Sequence, residues 1–265
     1  MNSIKSSIKR HQLVSFVVLA YALSWWVALL PGGGLLPWGP MFAALIVVAF
    51  SEGRPGVKAW WRRVVRRKAG WGWYLVALFP IALNLTTGGL NLRLGATISR
   101  PIDWTTPFAV LPVMLLVSGM WEEPGWTGFA LPRLLDHFGP SVKGTLWATL
   151  LMAVIRIGWH LPLMLSGRVY WSDIVAILAA QVVMAWLFHA SRGSVLAVML
   201  LHLLNNVMAG EFVMQWFTGA DWVRLAWLQA LLWGLLALGV LLLAGLQLGR
   251  DPVRRQNQPS TPSLG

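Results

Sequence analysis

Residues 224–248 read RLAWLQALLWGLLALGVLLLAGLQL, with Arg224 the only charged side chain, at the very start. A helix rises about 1.5 Å per residue, so a stretch of this length crosses the ~30 Å apolar interior of a bilayer. A helix bathed in water needs a polar face, and this stretch offers little beyond Gln229 and Gln247. Working outward, further apolar stretches lie near residues 12–30, 35–50, 72–91, 108–135, 143–164, 171–190 and 193–209. The expected fold is all-α: a polytopic membrane protein, a bundle of about eight transmembrane helices. One transmembrane domain is expected over residues 1–250, with a disordered polar tail over 251–265.

Composition agrees. Apolar residues make up 57% of the 265 and charged ones 11%, against about 25% charged in a soluble domain, too few to cover a water-soluble core. The net charge of +12 raises nucleic acid as a partner, but the basic residues cluster between the apolar stretches. That pattern fits membrane topology and anionic lipid, so membrane lipid is expected as a partner and nucleic acid is not. The absence of cysteine removes disulfides, thiolate catalysis and cysteine metal sites. Lys5, Lys9 and Arg10 before an apolar run imitate a secretory signal. The run to Leu30 is longer than a signal core and no small-residue cleavage site follows, so a retained first helix is expected.

With eight crossings, sixteen of the 21 Lys and Arg fall on the side of the N-terminus. Four (Arg93, Arg100, Arg168 and Arg224) fall on the other, and Arg156 lies inside a stretch. This asymmetry places both termini in the cytoplasm of a multi-pass protein of the inner (plasma) membrane. Within the basic segment 54–69, Arg54, Lys58, Arg62 and Arg66 recur every four residues, with Val57, Trp60, Trp61 and Val64 between them. Pro55 suits a helix start and Gly70 a stop, so a cytoplasmic interfacial amphipathic helix is expected.

Several polar residues stand where lipid or packing would exclude them. Glu122 and Glu123 lie inside the stretch 108–135, where a single carboxylate at mid-bilayer costs roughly 2.5–3.5 kcal/mol on insertion scales. Adjacent residues of a helix point about 100° apart, so one acid can face a cavity while the other holds a partner. Pro124 and Gly125 also allow the alternative that the helix ends at Met120 and the acids sit in a loop. Arg156 precedes His160 by four residues, on one helix face, and needs a carboxylate or water nearby. His202 and Asn206 share the same spacing; they read either as paired donors or as interhelical hydrogen bonding. Counted from the cytoplasmic ends, Glu122 lies about 20 Å deep, His160 about 26 Å and His202 about 14 Å. Gln181, Asn84 and Asn91 read as structural polar contacts.

At these residues the sequence resembles the CPBP family of CAAX proteases and bacteriocin-processing enzymes, which includes the eukaryotic Ras-converting CAAX endopeptidase. The family pattern is Glu-Glu-x-x-x-Arg, then Phe-x-x-x-His, then His-x-x-x-Asn/Asp on three helices. Glu122-Glu123-Pro-Gly-Trp126-Thr127-Gly128-Phe129, Trp159-His160-Leu161-Pro162 and His202-Leu-Leu-Asn205-Asn206 match it, within a motif-bearing core of roughly 110–210. Thr127 stands at the family's Arg position and Arg156 at its Phe position. Arg156 is expected to supply the missing cation from the neighbouring helix, neutralising Glu123 while Glu122 faces water.

The resemblance implies an intramembrane endopeptidase acting on a protein or peptide substrate. Glu122, assisted by His160, would activate water, and His202 with Asn206 would stabilise the oxyanion. It leaves open either metal-free chemistry or a single divalent metal, zinc, held by Glu122, His160 and His202. Two other readings compete: a non-catalytic or self-immunity membrane protein of the same fold, and a proton-coupled transporter.

Overall fold

The computed structural model describes residues 9–250, so the tail expected to be disordered, 251–265, lies outside the described residues. Among the described residues every regular element is helical. In chain order these are α1 (Gln12–Trp25), α2 (Gly39–Val64), α3 (Trp71–Val76), α4 (Phe79–Arg93) and α5 (Thr106–Val117). They continue as α6 (Leu131–Phe138), α7 (Val142–Leu165), α8 (Asp173–Ala190), α9 (Val195–Asn206) and α10 (Gly219–Ala244).

Six helical segments are long and apolar enough to cross a membrane: Gln12–Leu29, Trp71–Arg93, Val142–Leu165, Asp173–Ala190, Val195–Trp216 and Gly219–Ala244. Their outward surface is apolar, with Val14, Val154, Leu242 and Leu243 exposed, as a lipid-facing wall requires. The protein is a multi-pass membrane bundle.

The two other expected crossings, 35–50 and 108–135, take different forms. The first ends at Gly53, whose non-helical φ of 68° and ψ of -164° are open to glycine, and a second helical segment runs on from there through Pro55 to Val64, the two counted together as α2. The basic segment is thus a helical segment of its own, as expected, and the correction is to its aromatic side, which is not turned wholly to lipid. Trp60 and Val64 are buried, and Trp60 Nε1 donates to the Pro124 carbonyl at 3.1 Å. A helix face that carries Trp and Val packs equally well on protein or acyl chains, and here it packs on the segment after Glu123. Trp61 and the basic residues Arg62 and Arg66 remain exposed.

The stretch 108–135 is broken in two. α5 stops at Ser118, which is extended (ψ 168°). The 3-10 turn Gly119–Glu122, the short helical stretch Glu123–Gly125 and the π turn Trp126–Ala130 then lead into α6. Pro124, lacking an N–H, fits the first turn of a new helix and not the interior of an old one. A break inside a membrane leaves carbonyls that need donors. The indoles of Trp121 and Trp38 supply them, donating to Leu115 O at 2.9 Å and Leu116 O at 2.8 Å.

α9 passes through the middle of the bundle, with Val195, Val198, Leu201 and Leu203 buried. Beneath the broken segment, Trp126 packs edge-on against Phe16 of α1 (5.2 Å between ring centres) and Trp159 of α7 (6.1 Å). This aromatic stack fixes the indole that holds Glu122.

Candidate active site

The break at Ser118 starts a new helix at the two acids, whose carboxylates therefore lie at its N-terminal end. Free backbone N–H groups and the positive end of the helix dipole favour an anion there. Glu122 and Glu123 are 4% and 0% exposed, so each needs partners within the protein.

Glu123 is fully engaged. Its Oε1 accepts from Arg156 Nη2 and lies 2.7 Å from His202 Nδ1, and its Oε2 accepts from Thr127 Oγ1 one turn on. Arg156, 3% exposed, also donates to Gln181 Oε1 at 3.0 Å and reaches Met184 Sδ at 3.1 Å. Its Nη2 stands 3.9 Å from Glu122 Oε2. The guanidinium thus binds the second acid closely and the first at longer range.

Glu122 is held by one oxygen. Trp126 Nε1 donates to its Oε2 at 3.1 Å, and Oε1 makes no hydrogen bond among the described residues. That free oxygen faces His202 across Gly119. A Cβ built on Gly119 would lie 2.5 Å from His202 Nε2 and 2.8 Å from Glu122 Oε1. The missing side chain therefore leaves a small gap with a carboxylate oxygen on one side and an imidazole nitrogen on the other. With His202 Nδ1–H donated to Glu123, Nε2 is directed into this gap.

Asn206 fixes the same corner. With its amide oriented so that both ends are satisfied, Oδ1 accepts from Gly119 N–H at 3.1 Å and Nδ2 donates to His202 O at 3.1 Å. This ties α9 to the 3-10 turn and leaves one amide hydrogen free. His160 sets its Nδ1 against the Arg156 carbonyl at 2.8 Å. A carbonyl only accepts, so Nδ1 carries the hydrogen and Nε2 presents a lone pair.

The structure brings Glu122, Glu123, Thr127, Arg156 and His202 into one hydrogen-bonded cluster and joins Asn206 to it through Gly119. His160 does not bond the acids directly; it lines the same cavity of about 540 Å³, together with Glu122, Arg156, His202 and Asn206. Among the described residues no group of three or more His, Asp or Glu side chains is placed to hold a metal ion. Glu122, His160 and His202 are thus not grouped as a zinc site among the described residues.

Two participants escaped the sequence reading. Gly119 matters through the side chain it lacks, and its only trace is the Ser118-Gly119 pair interrupting an apolar run just before the acids. Gln181, taken for a structural contact, is a direct partner of Arg156.

Residues 104–208 match the family model described as Type II CAAX prenyl endopeptidase Rce1-like. Over these residues the chain is similar to the CAAX-protease family. The whole cluster, from Gly119 to Asn206, lies within the matched segment. The chain is also 24% identical over 144 residues to the "CAAX prenyl protease 2" of Methanococcus maripaludis, covering 50% of this chain and 51% of that protein. It thus spans about half the length of the curated relative it matches. Relative to the CAAX-protease pattern, the cation beside the second glutamate comes from Arg156 on α7, while Thr127 contributes a hydroxyl from the site where the pattern has arginine.

Proposed function

We propose that the protein is an intramembrane endopeptidase that hydrolyses a peptide bond with water activated by Glu122. The observation that carries this reading is the asymmetry between the two acids. Glu123 is saturated by Arg156, Thr127 and His202, whereas Glu122 keeps one unbonded oxygen facing an imidazole nitrogen across the gap at Gly119.

A water in that gap is within reach of both groups. Glu122 takes its proton as the oxygen attacks the peptide carbonyl, and the proton passes to the leaving amine as the bond breaks. His202, carrying a hydrogen on both ring nitrogens from the outset and held through Nδ1 by Glu123, donates its Nε2–H to the oxyanion with the free Asn206 amide hydrogen and neither gains nor loses a proton in the step. His160, with Nε2 unprotonated, accepts a hydrogen bond from the water's other hydrogen and so helps to order it from the other side of the cavity, while the transferred proton goes to Glu122 alone. The proposed chemistry needs no cofactor.

The test uses the full-length protein in lipid vesicles with a fluorescence-quenched peptide ending in an S-farnesylated CAAX sequence, the substrate type in the relative's name, and the same peptide without lipid. Cleavage of either by the wild type, abolished in Glu122→Gln with the melting temperature retained, is the expected result. No cleavage of either, or equal cleavage by the variant, rejects the endopeptidase reading.

A further inference from the structure

We infer that the site is served from the end of the bundle opposite its Lys/Arg-rich end, the non-cytoplasmic face, by an extended peptide segment with a basic side chain about four residues from the scissile bond. The peptide nature of the ligand rests on the endopeptidase reading; the route and its charge preference do not.

The cavity has a direction. From the acids it rises past Gln181 and Asn206 to Pro37 ahead of α2, Val169 between α7 and α8, Asp173 at the start of α8 and Glu211 beyond α9. These upper residues belong to the end where α1, α4, α7 and α9 finish and α2, α5, α8 and α10 begin. No lining residue comes from the loops of the opposite end, among the described residues. That opposite end is tied shut. Trp60 and Arg63 of α2 bond the Pro124 and Gly128 carbonyls, Arg133 pairs with Glu52 at 2.5 Å, and Arg250 donates to Gly139 O at 2.9 Å.

Charge assigns the two ends to compartments. The closed end carries the seven basic residues of 54–68 together with Arg133, Lys143, Arg192 and Arg250. The open end has Arg93, Arg100, Arg168 and Arg224. Lys and Arg accumulate on cytoplasmic segments, so the open end faces away from the cytoplasm.

The mouth selects charge. Asp173 and Glu211 stand on the cavity wall, and neither carboxylate makes a hydrogen bond or ion pair among the described residues. Three arginines of that end are held off the cavity wall by their hydrogen bonds, Arg100 to Gln215, Arg168 to the Gly32 carbonyl and Arg224 to Asp221 and Asn91. Among the described residues the charged side chains that line the outer part of the cavity are these two acids, so its wall there favours a cation.

Distance and volume shape the ligand. Asp173 lies eight residues from Gln181 on α8, and Glu211 nine from His202 along α9 and its π turn, about 12–14 Å at helical rise. An extended chain advances about 3.3 Å per residue, so roughly four residues separate mouth and reacting bond. A cavity of about 540 Å³ holds a few side chains and no folded domain.

The chain has no cysteine, so single-cysteine variants report access without background. Cells expressing Ala180→Cys or Glu211→Cys, both on the cavity wall, are treated with membrane-impermeant cationic and anionic methanethiosulfonates, alongside Arg67→Cys and Lys143→Cys at the closed end. Labelling of the two cavity variants in intact cells, and of the two controls only after permeabilisation, is expected. The cationic reagent should modify Ala180→Cys about ten-fold faster than the anionic one, and adding Asp173→Asn and Glu211→Gln should bring the ratio to within about two-fold. Cavity labelling that requires permeabilisation, or that never occurs, overturns the route; equal rates for the two reagents overturn the basic side chain. None of these measurements reads hydrolysis, so their failure is separate from that of the Glu122→Gln assay.

Discussion

Arg156 of α7 donates to Glu123, so the buried acid and its cation come from different helices and the ion pair joins the broken segment to α7. Thr127, one turn after Glu123, donates to the other carboxylate oxygen. Cation and hydroxyl thus approach one carboxylate from two sides, and Arg156 is itself held by Gln181 of α8. The broken segment, α7 and, through His202, α9 meet at Glu123, which leaves Glu122 the one of the two adjacent acids with an oxygen to spare.

Removing the cation should be severe and repairable. Arg156→Phe strands a fully buried carboxylate, and breaking such a pair costs about 3–5 kcal/mol. Thr127→Arg in the same chain restores the arginine of the family pattern one turn from Glu123, with Phe at 156 as that pattern has it. Thermal melting in lipid vesicles should show the single variant far below wild type and the double variant recovering most of the loss. A double variant no more stable than Arg156→Phe alone would falsify the exchange of cation between helices.

Gly119 is expected to act on rate and not on substrate affinity. In Gly119→Ala the added methyl occupies the gap between Glu122 Oε1 and His202 Nε2, where the proposed water sits. General base catalysis contributes about 10²–10⁴-fold, so kcat should fall by at least about 10² with KM little changed. Steady-state kinetics on the cleaved peptide check this, and a variant with wild-type kcat removes the gap from the mechanism.

How much of this was legible in the sequence differs from residue to residue. The apolar crossings could be read because a membrane imposes length and composition directly on each helix. The acids, Arg156 and His202 were visible because charge and polarity are costly there, and the demand of Arg156 for a carboxylate correctly pointed to the pair. The break at Ser118 was harder to see. Whether a helix can end inside a membrane depends on donors from elsewhere, here the Trp38 and Trp121 indoles, and no local pattern announces them. Gly119 is harder still, since its role is an absence that acquires meaning only when α9 brings His202 opposite. Trp60 shows the limit of periodicity: spacing defines its face of the helix, but the neighbour that covers that face is set by the tertiary packing.

Trp126 is expected to aim the proposed base. Its indole N–H is the hydrogen-bond donor to Glu122 Oε2, and its ring is locked between Phe16 and Trp159. Trp126→Phe keeps most of the packing and deletes that donor. A hydrogen bond to a charged group contributes about 1.5–3 kcal/mol, so hydrolysis should drop by roughly ten- to a hundred-fold as Glu122 gains freedom to rotate. Infrared spectra of the carboxylate stretch, with Glu122→Gln as the difference reference, should report the altered environment. Unchanged kinetics and an unchanged band would mean that the indole does not orient the acid.

The second half of α2 should behave as part of the core and not as a surface anchor. Trp60 is 5% exposed and bonds the Pro124 carbonyl, directly behind the two acids. Trp60→Ala removes a large buried ring, for which about 3–5 kcal/mol is typical, while Trp60→Phe loses little beyond one hydrogen bond, about 0.5–1.5 kcal/mol. Trp61, 42% exposed on the adjacent face, provides the control, and Trp61→Ala should leave the melting temperature nearly unchanged. If Trp60 were merely a lipid anchor, the two alanine variants would melt alike and differ from wild type only in vesicle affinity. A lower melting temperature confined to Trp60→Ala, with impaired peptide cleavage by the protein that remains folded, instead places this tryptophan among the supports of the Glu122–Glu123 turn.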